Sequence, residues 1–238
     1  MANPSADTAK DNVLRSDIYD DVYFSVEDGL AETRHVFLDS NDLPAAWNGK
    51  KRFNICETGF GTGLNFFAAW DLFEKTAAPD AVLHFISFEK HPLSADEIRG
   101  ALSHWRGEFG EKIDMFLAQY PLAISGFHRV QLSPRIILTL VFDDVNDAME
   151  RLSARVDCWF LDGFRPATNP AMWSELVFAQ MARLSTDGAS YATFTAAGDV
   201  RRGLAAAGFS VEKISGFGRK REMIRGRYIG LNDKEQGA

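Results

Sequence analysis

Cysteine is scarce in this 238-residue chain, with only Cys56 and Cys158. Both lie inside strand-like apolar runs, so neither a disulfide framework nor a four-ligand metal site is available, and the sulfurs read as buried reduced thiols. Long apolar runs are missing too: the longest reach about half of the roughly 20 residues a membrane span needs. The polar start, Met1 to Asp11, has no apolar core of a secretory leader. Together these point to a cytoplasmic protein with no membrane partner and no metal. Positive charge is short as well. Lys and Arg number 26 against 33 Asp and Glu, a net charge of -7, which argues against a protein that coats nucleic acid non-specifically, because phosphate binding relies on dense Lys and Arg. Internal repeats and low-complexity linkers are also absent.

What is present is 46% apolar composition, enough for one sizeable core and one domain with decorations. Residues Phe53 to Glu57, Val82 to Phe88, Ile136 to Phe142, Val156 to Leu161 and Ala189 to Thr195 are short runs rich in Ile, Val, Leu and Phe, the pattern of buried central strands. Between them, apolar residues recur at helical spacing over Leu64 to Phe73, Ala95 to Trp105, Val145 to Leu152, Met172 to Leu184 and Val200 to Ala207. The alternation predicts an α/β fold with a mostly parallel sheet covered on both faces. Near the end, a strand from Phe209 to Ile214 and another from Glu222 to Tyr228 form a hairpin around Gly216 to Gly218. At the start, Val22 to Ser25 and Arg34 to Leu38 read as short strands of a hairpin or flap, and Gly107 to Ser133 as a long inserted connection. The expected division is an extension over 1–50, the main domain over 51–230 and a tail over 231–238.

Ligands of open parallel sheets bind beyond the carboxyl ends of the strands. The first strand ends at Glu57 and enters Thr58-Gly59-Phe60-Gly61-Thr62-Gly63, whose glycines permit close backbone approach to a ligand at the next helix. A dinucleotide fingerprint would place its third glycine at position 64, where Leu64 stands. Glycine at 63 with an acid before the loop favours a methionine-bearing nucleoside. Glu89 ends the second strand, where an acid can accept both hydroxyls of a ribose, and Asp143-Asp144 end the third, where a carboxylate can accept from an adenine amine. Each acid alone serves equally well as a helix cap. The fourth strand ends in Asp162-Gly163-Phe164-Arg165, placing Asp162 where an acceptor amine could be oriented and Phe164 where a base could be contacted. A basic patch, Arg219, Lys220, Arg221, Arg225 and Arg227, suits either a structured polyanion or a solvated strand edge.

Assembled, these motifs resemble the MnmC/MnmD methyltransferase family, over about Asp21 to Gly226. The resemblance rests on DVYFS at Asp21 to Ser25, HVFL at His35 to Leu38, ETGFGTGLNF at Glu57 to Phe66, FEKHPL at Phe88 to Leu93, WFLDGF at Trp159 to Phe164, NPAMW at Asn169 to Trp173, ATFTAAGDVRRGL at Ala192 to Leu204 and GFGRKREM at Gly216 to Met223. It implies a class I, Rossmann-like fold with a seven-stranded sheet and an N-terminal hairpin extension. It also implies methyl transfer from S-adenosylmethionine to the amine of 5-aminomethyl(-2-thio)uridine at the tRNA wobble position. Carried over, Glu57, Gly59, Phe60, Gly61, Thr62, Gly63, Asn65, Glu89, Lys90, Asp144, Asp162 and Gly163 would hold the cofactor, with Asp162 also catalytic. Tyr23, Phe164, Arg165, Arg219, Lys220 and Arg221 would meet the tRNA. Where relatives of this kind often carry Ala and Lys, this chain has Arg165 and Thr168. Some family members continue into a flavin-dependent oxidase; FAD is not expected for this chain, and a separate flavin enzyme is a possible source of the aminomethyl substrate. Three other readings stand beside this one: a methyltransferase for free small-molecule amines, an NAD-linked oxidoreductase, and an RNA-binding module without catalysis.

Overall fold

The computed structural model describes residues 28–218 and 221–231, with the backbone of 15–16 and 21–22. Arg15–Ser16 (β1) and Asp21–Val22 (β2) form a two-residue antiparallel pair. Gly29–Thr33 (α1) continues into a π-helical turn, Arg34–Leu38, and two 3-10 turns, Asp39–Asn41 and Ala45–Trp47. The main domain then runs through Arg52–Glu57 (β3), Leu64–Thr76 (α2), Val82–Glu89 (β4), Ala95–Ala101 (α3), Arg106–Leu117 (α4), Gly126–Ser133 (β5), Ile136–Phe142 (β6) and Val145–Arg151 (α5). It closes with Val156–Phe160 (β7), Glu175–Leu184 (α6), Ser185–Thr193 (β8), Gly198–Ala206 (α7), Glu212–Ser215 (β9) and Glu222–Arg227 (β10).

The large sheet has the order β5-β6-β4-β3-β7-β8-β10-β9. Strands β6, β4, β3, β7 and β8 are parallel, as their near-continuous apolar runs require when both faces are covered. Side-chain alternation divides the core accordingly. Phe53, Ile55, Leu83, Phe85, Leu138, Leu140 and Phe160 face α2 and α4, whereas Cys56, Ile86, Phe88, Val141 and Trp159 face α5, α6 and α7. Cys158 and Cys56 therefore project from opposite faces, and burial pushes the Cys158 thiol up to about 12. The C-terminal hairpin forms as expected, with β10 inserted between β8 and β9 and antiparallel to both.

Two expectations fail. Arg34–Leu38 is helical, not a strand. A three-residue apolar run carries no period of its own; here the Asp28 carboxylate accepts from the Ala31 N–H at 2.9 Å and starts a helical path that lays Val36, Phe37 and Leu38 on the core. Phe37 stacks on Phe160 with ring centroids 5.2 Å apart. Residues 107–133 are likewise no loose connection. Phe109, Ile113 and Phe116 form the buried stripe of α4, and β5 buries Val130 and Leu132 while exposing Arg129 and Gln131, the signature of an edge strand covered on one face. This antiparallel edge brings the sheet to eight strands where seven were expected.

Among the described residues no helix is long and apolar enough to cross a membrane.

Candidate active site

The strand order reverses at β3: β4 and β6 lie on one side, β7 and β8 on the other. Such a switch point opens a crevice at the carboxyl ends. Pairing register sets what meets there, since Glu57 is opposite Ser87 on β4 and Phe160 on β7.

Glu57 is fully buried, and its carboxylate accepts from Ser87 Oγ at 2.7 Å and from Asn65 Nδ2 at 2.8 Å. Burial, reinforced by the nearby Asp162 carboxylate, pushes its pKa well above the usual carboxylate range, against the opposing pull of those two hydrogen bonds. Asn65 Nδ2 also donates to Asp162 Oδ2 at 2.6 Å, and Asn65 Oδ1 accepts from Thr33 Oγ1 at 2.7 Å. The other Asp162 oxygen accepts from the Gly163 N–H at 2.8 Å.

The glycine loop is held from three sides. Phe60 N–H donates to the Phe88 carbonyl at 2.9 Å, Gly61 N–H donates to Glu89 Oε2 at 2.9 Å, and Thr58 Oγ1 donates to the Asp162 carbonyl at 2.6 Å. Thr62 is buried within it. Gly63 has φ +83°, and a Cβ there would meet the Phe60 ring at 2.7 Å. That ring is fixed from below by Phe116 of α4, at 5.8 Å between centroids. At Gly59 a Cβ would come within 3.1 Å of Gly163 Cα, so the loops after β3 and β7 pass backbone to backbone.

Glu89 also accepts from the His91 N–H at 2.8 Å. Lys90 Nζ donates to Asp144 Oδ2 at 2.9 Å, bridging the ends of β4 and β6. Asp144 also caps α5 through the Asn146 N–H at 2.9 Å. Burial would raise its pKa, but the bonds from Lys90 and Asn146 hold the carboxyl below the usual range. Asp144 thus has the capping role that its place before a helix allowed.

Beyond Asp162, Gly163 takes φ +132° with the Met172 sulfur packed where a Cβ would stand. Trp173 Nε1 donates to the Phe164 carbonyl at 3.0 Å and its ring meets Phe194 edge-on at 6.0 Å. Phe164 is half-buried and Arg165 exposed. Tyr23, Arg219 and Lys220 lie outside the described residues, and Arg221 is exposed. The rest of the basic patch is committed elsewhere: Arg227 pairs with Asp42 at 2.6 Å and Arg225 with Glu212 at 2.9 Å. Thr33, Ser87, Trp173 and Phe194 were not expected at the site. Ser87 had a legible signal as the lone hydroxyl within the apolar run FISFE, but Thr33 had none, because only the fold brings α1 against α2. A separate polar cleft of about 490 Å³ lies at the opposite end of the strands, lined by Asp42, Lys50, Asp157 and Arg227, and these charges pair among themselves.

A family model described as S-adenosyl-L-methionine-dependent methyltransferase matches residues 107–229. The chain is 49% identical over 223 residues to the tRNA 5-methylaminomethyl-2-thiouridine biosynthesis bifunctional protein MnmC of Chromohalobacter salexigens, covering 92% of this chain and 32% of the relative. It is 51% identical over 221 residues to the protein of the same name from Chromobacterium violaceum, covering 91% and 33%. The chain thus spans about a third of the length of these relatives. In fold it is similar to the crystal structure of MNMC2 from Aquifex aeolicus, with a TM-score of 0.72 at 22% identity, covering 90% of this chain and 66% of that one.

Proposed function

The chain belongs to the S-adenosyl-L-methionine-dependent methyltransferase family, and from that premise we propose that it methylates the amine of 5-aminomethyl(-2-thio)uridine at the tRNA wobble position, giving 5-methylaminomethyl(-2-thio)uridine. The observation that carries this reading is the half-exposed Asp162 carboxylate, clamped by Asn65 and Gly163 beside a glycine loop in which Gly59 and Gly63 have no room for a Cβ. An identity of about one half to proteins named for 5-methylaminomethyl-2-thiouridine biosynthesis supports the acceptor.

The residues present suit the cofactor. Gly59 and Gly63 let the loop fold tightly against Gly163 and Phe60 at the head of α2, and Glu57, Glu89 and Asp144 stand at three strand ends as acceptors for an ammonium, ribose hydroxyls and an adenine amine. Bound there, S-adenosylmethionine supplies an electrophilic methyl group on a sulfonium. Asp162 does the work on the acceptor: it accepts one N–H of the neutral amine, turning the nitrogen lone pair toward the methyl group. Methylation would leave the nitrogen cationic, and the adjacent Asp162 carboxylate would stabilise that charge until the extra proton passes to water. Phe164 and the Trp173–Phe194 pair border the acceptor side, where they exclude water and offer a base an aromatic surface. Arg165 and the patch at Arg219, Lys220 and Arg221 serve the phosphates. The substrate places the protein in the cytoplasm, with a separate flavin-dependent enzyme as one source of the aminomethyl group.

Labelled S-adenosylmethionine incubated with the protein and tRNA from a strain lacking it, followed by nucleoside mass analysis, tests the whole reading. Label in 5-methylaminomethyl-type uridine is expected; label in no tRNA overturns it.

A further inference from the structure

Thr33 belongs to the N-terminal helical segment, not to the sheet, and nothing in its sequence surroundings marks it for chemistry. Yet it is buried, at 5% exposure, and its hydroxyl donates to Asn65 Oδ1 at 2.7 Å. Asn65, 6% exposed, uses its amide nitrogen twice, toward Glu57 Oε1 at 2.8 Å and toward Asp162 Oδ2 at 2.6 Å. A primary amide has two hydrogens on nitrogen and none on oxygen. The Asp162 carboxylate therefore selects one orientation, with nitrogen toward Asp162 and oxygen toward a donor. Thr33 is that donor.

We infer that Thr33 is a positioning residue for methyl transfer: its hydroxyl fixes the Asn65 amide so that one N–H is always directed at Asp162. This rests on the role given to Asp162 above. Without the Thr33 hydroxyl, Asn65 Oδ1 is a buried acceptor lacking that partner, and a buried polar group left unsatisfied drives rearrangement. Turning the amide would place its oxygen against the Asp162 carboxylate, and shifting it to reach water withdraws Nδ2 from Asp162. Either way Asp162 Oδ2 is deprived of the Asn65 N–H, while Oδ1 keeps the Gly163 N–H. The carboxylate then loses one of the bonds that set the direction in which it accepts an amine N–H. The methyl-donor contacts on the glycine loop, at Glu89 and at Asp144 do not pass through Thr33, whereas Glu57 shares the Asn65 amide with Asp162.

The test compares Thr33→Val, which keeps the shape without the hydroxyl, with Thr33→Ser, which keeps the hydroxyl. Single-turnover methyl transfer to tRNA at saturating S-adenosylmethionine is expected to fall about ten- to hundredfold in the valine enzyme, a larger loss than that in affinity for S-adenosylmethionine, and to recover in the serine enzyme. Thr33→Ala repeats the comparison without a branched side chain in case the valine distorts α1. A second readout needs no turnover. In 15N spectra of the unliganded protein, the Asn65 side-chain amide protons are expected to be protected from solvent exchange in wild type and Thr33→Ser and unprotected in Thr33→Val and Thr33→Ala. Wild-type rates and wild-type protection without the hydroxyl overturn the inference, as does failure of serine to restore them. If the wild-type protein methylates a small amine but no tRNA, the acceptor reading fails while the Thr33 comparison runs unchanged on that amine.

Discussion

Thr58 Oγ1 donates to the carbonyl oxygen of Asp162 at 2.6 Å, so the loop that carries the glycines and the loop that carries the acceptor-side acid form one unit. Gly59 is what lets them meet, since a Cβ there would stand 3.1 Å from Gly163 Cα and 3.3 Å from the Asp162 carbonyl oxygen. Both neighbours are backbone and cannot rotate away. Gly59→Ala is accordingly expected to cost about 1–3 kcal/mol of stability, a drop of roughly 2–12 °C in Tm, and to weaken S-adenosylmethionine binding about tenfold or more. Calorimetric titration and thermal melting check this; an alanine protein that binds and melts like wild type would mean that the two loops do not need their close approach.

Asp162→Asn keeps the side-chain shape but replaces one carboxylate oxygen with a donor. Methyl transfer is expected to fall about 10²- to 10⁴-fold, with cofactor affinity preserved. Rapid-quench assays beside calorimetry separate the two quantities, and full turnover in the variant would sink the role assigned to Asp162.

Glu57 gives the protein a pH dependence of definite sign. Its pKa is raised in the fold by burial and by Asp162, so above the ordinary carboxylate value near 4.5 the unfolded chain releases a proton that the folded chain retains. With fewer protons bound in the unfolded state, stability declines as pH rises through that range toward the folded value. Glu57→Gln removes the titration, and the glutamine can still accept from Asn65 and donate to Ser87. The cofactor-free variant is expected to gain about 0.5–2 kcal/mol at neutral pH, with a flatter Tm profile over about pH 5–8, and to lose the Tm rise that S-adenosylmethionine gives the wild type. A steeper profile in the variant contradicts this.

Replacing Arg219, Lys220 and Arg221 together by Ala is expected to raise KM for tRNA and to flatten the dependence of log kcat/KM on log salt by about 0.7–0.9 for each phosphate that the patch no longer neutralises. Arg227→Ala, which breaks the pair with Asp42, is expected to lower Tm by a few degrees at most and to leave the salt slope unchanged. Equal salt slopes for wild type and the triple variant favour a small-molecule acceptor.

The amino-acid sequence by itself determined the alternating strands and helices, the mostly parallel sheet and the acids at its carboxyl ends, because apolar runs buried on both faces and glycines required by a tight loop leave local marks. Glu57, Glu89, Asp144 and Asp162 were legible for that reason, each standing at or just beyond the end of an apolar run. The tertiary structure alone decided the rest. The HVFL segment became helical because the α2 surface offered its side chains a core, and β5 became a strand because β6 had an open edge. Above all, the register of β3 against β4 and β7, and the docking of α1 on α2, gathered Ser87, Asn65, Thr33 and Asp162 around Glu57. Hydrogen bonds between residues 30 to 97 positions apart have no local period to betray them, and they exist only once hydrophobic burial has fixed which elements touch.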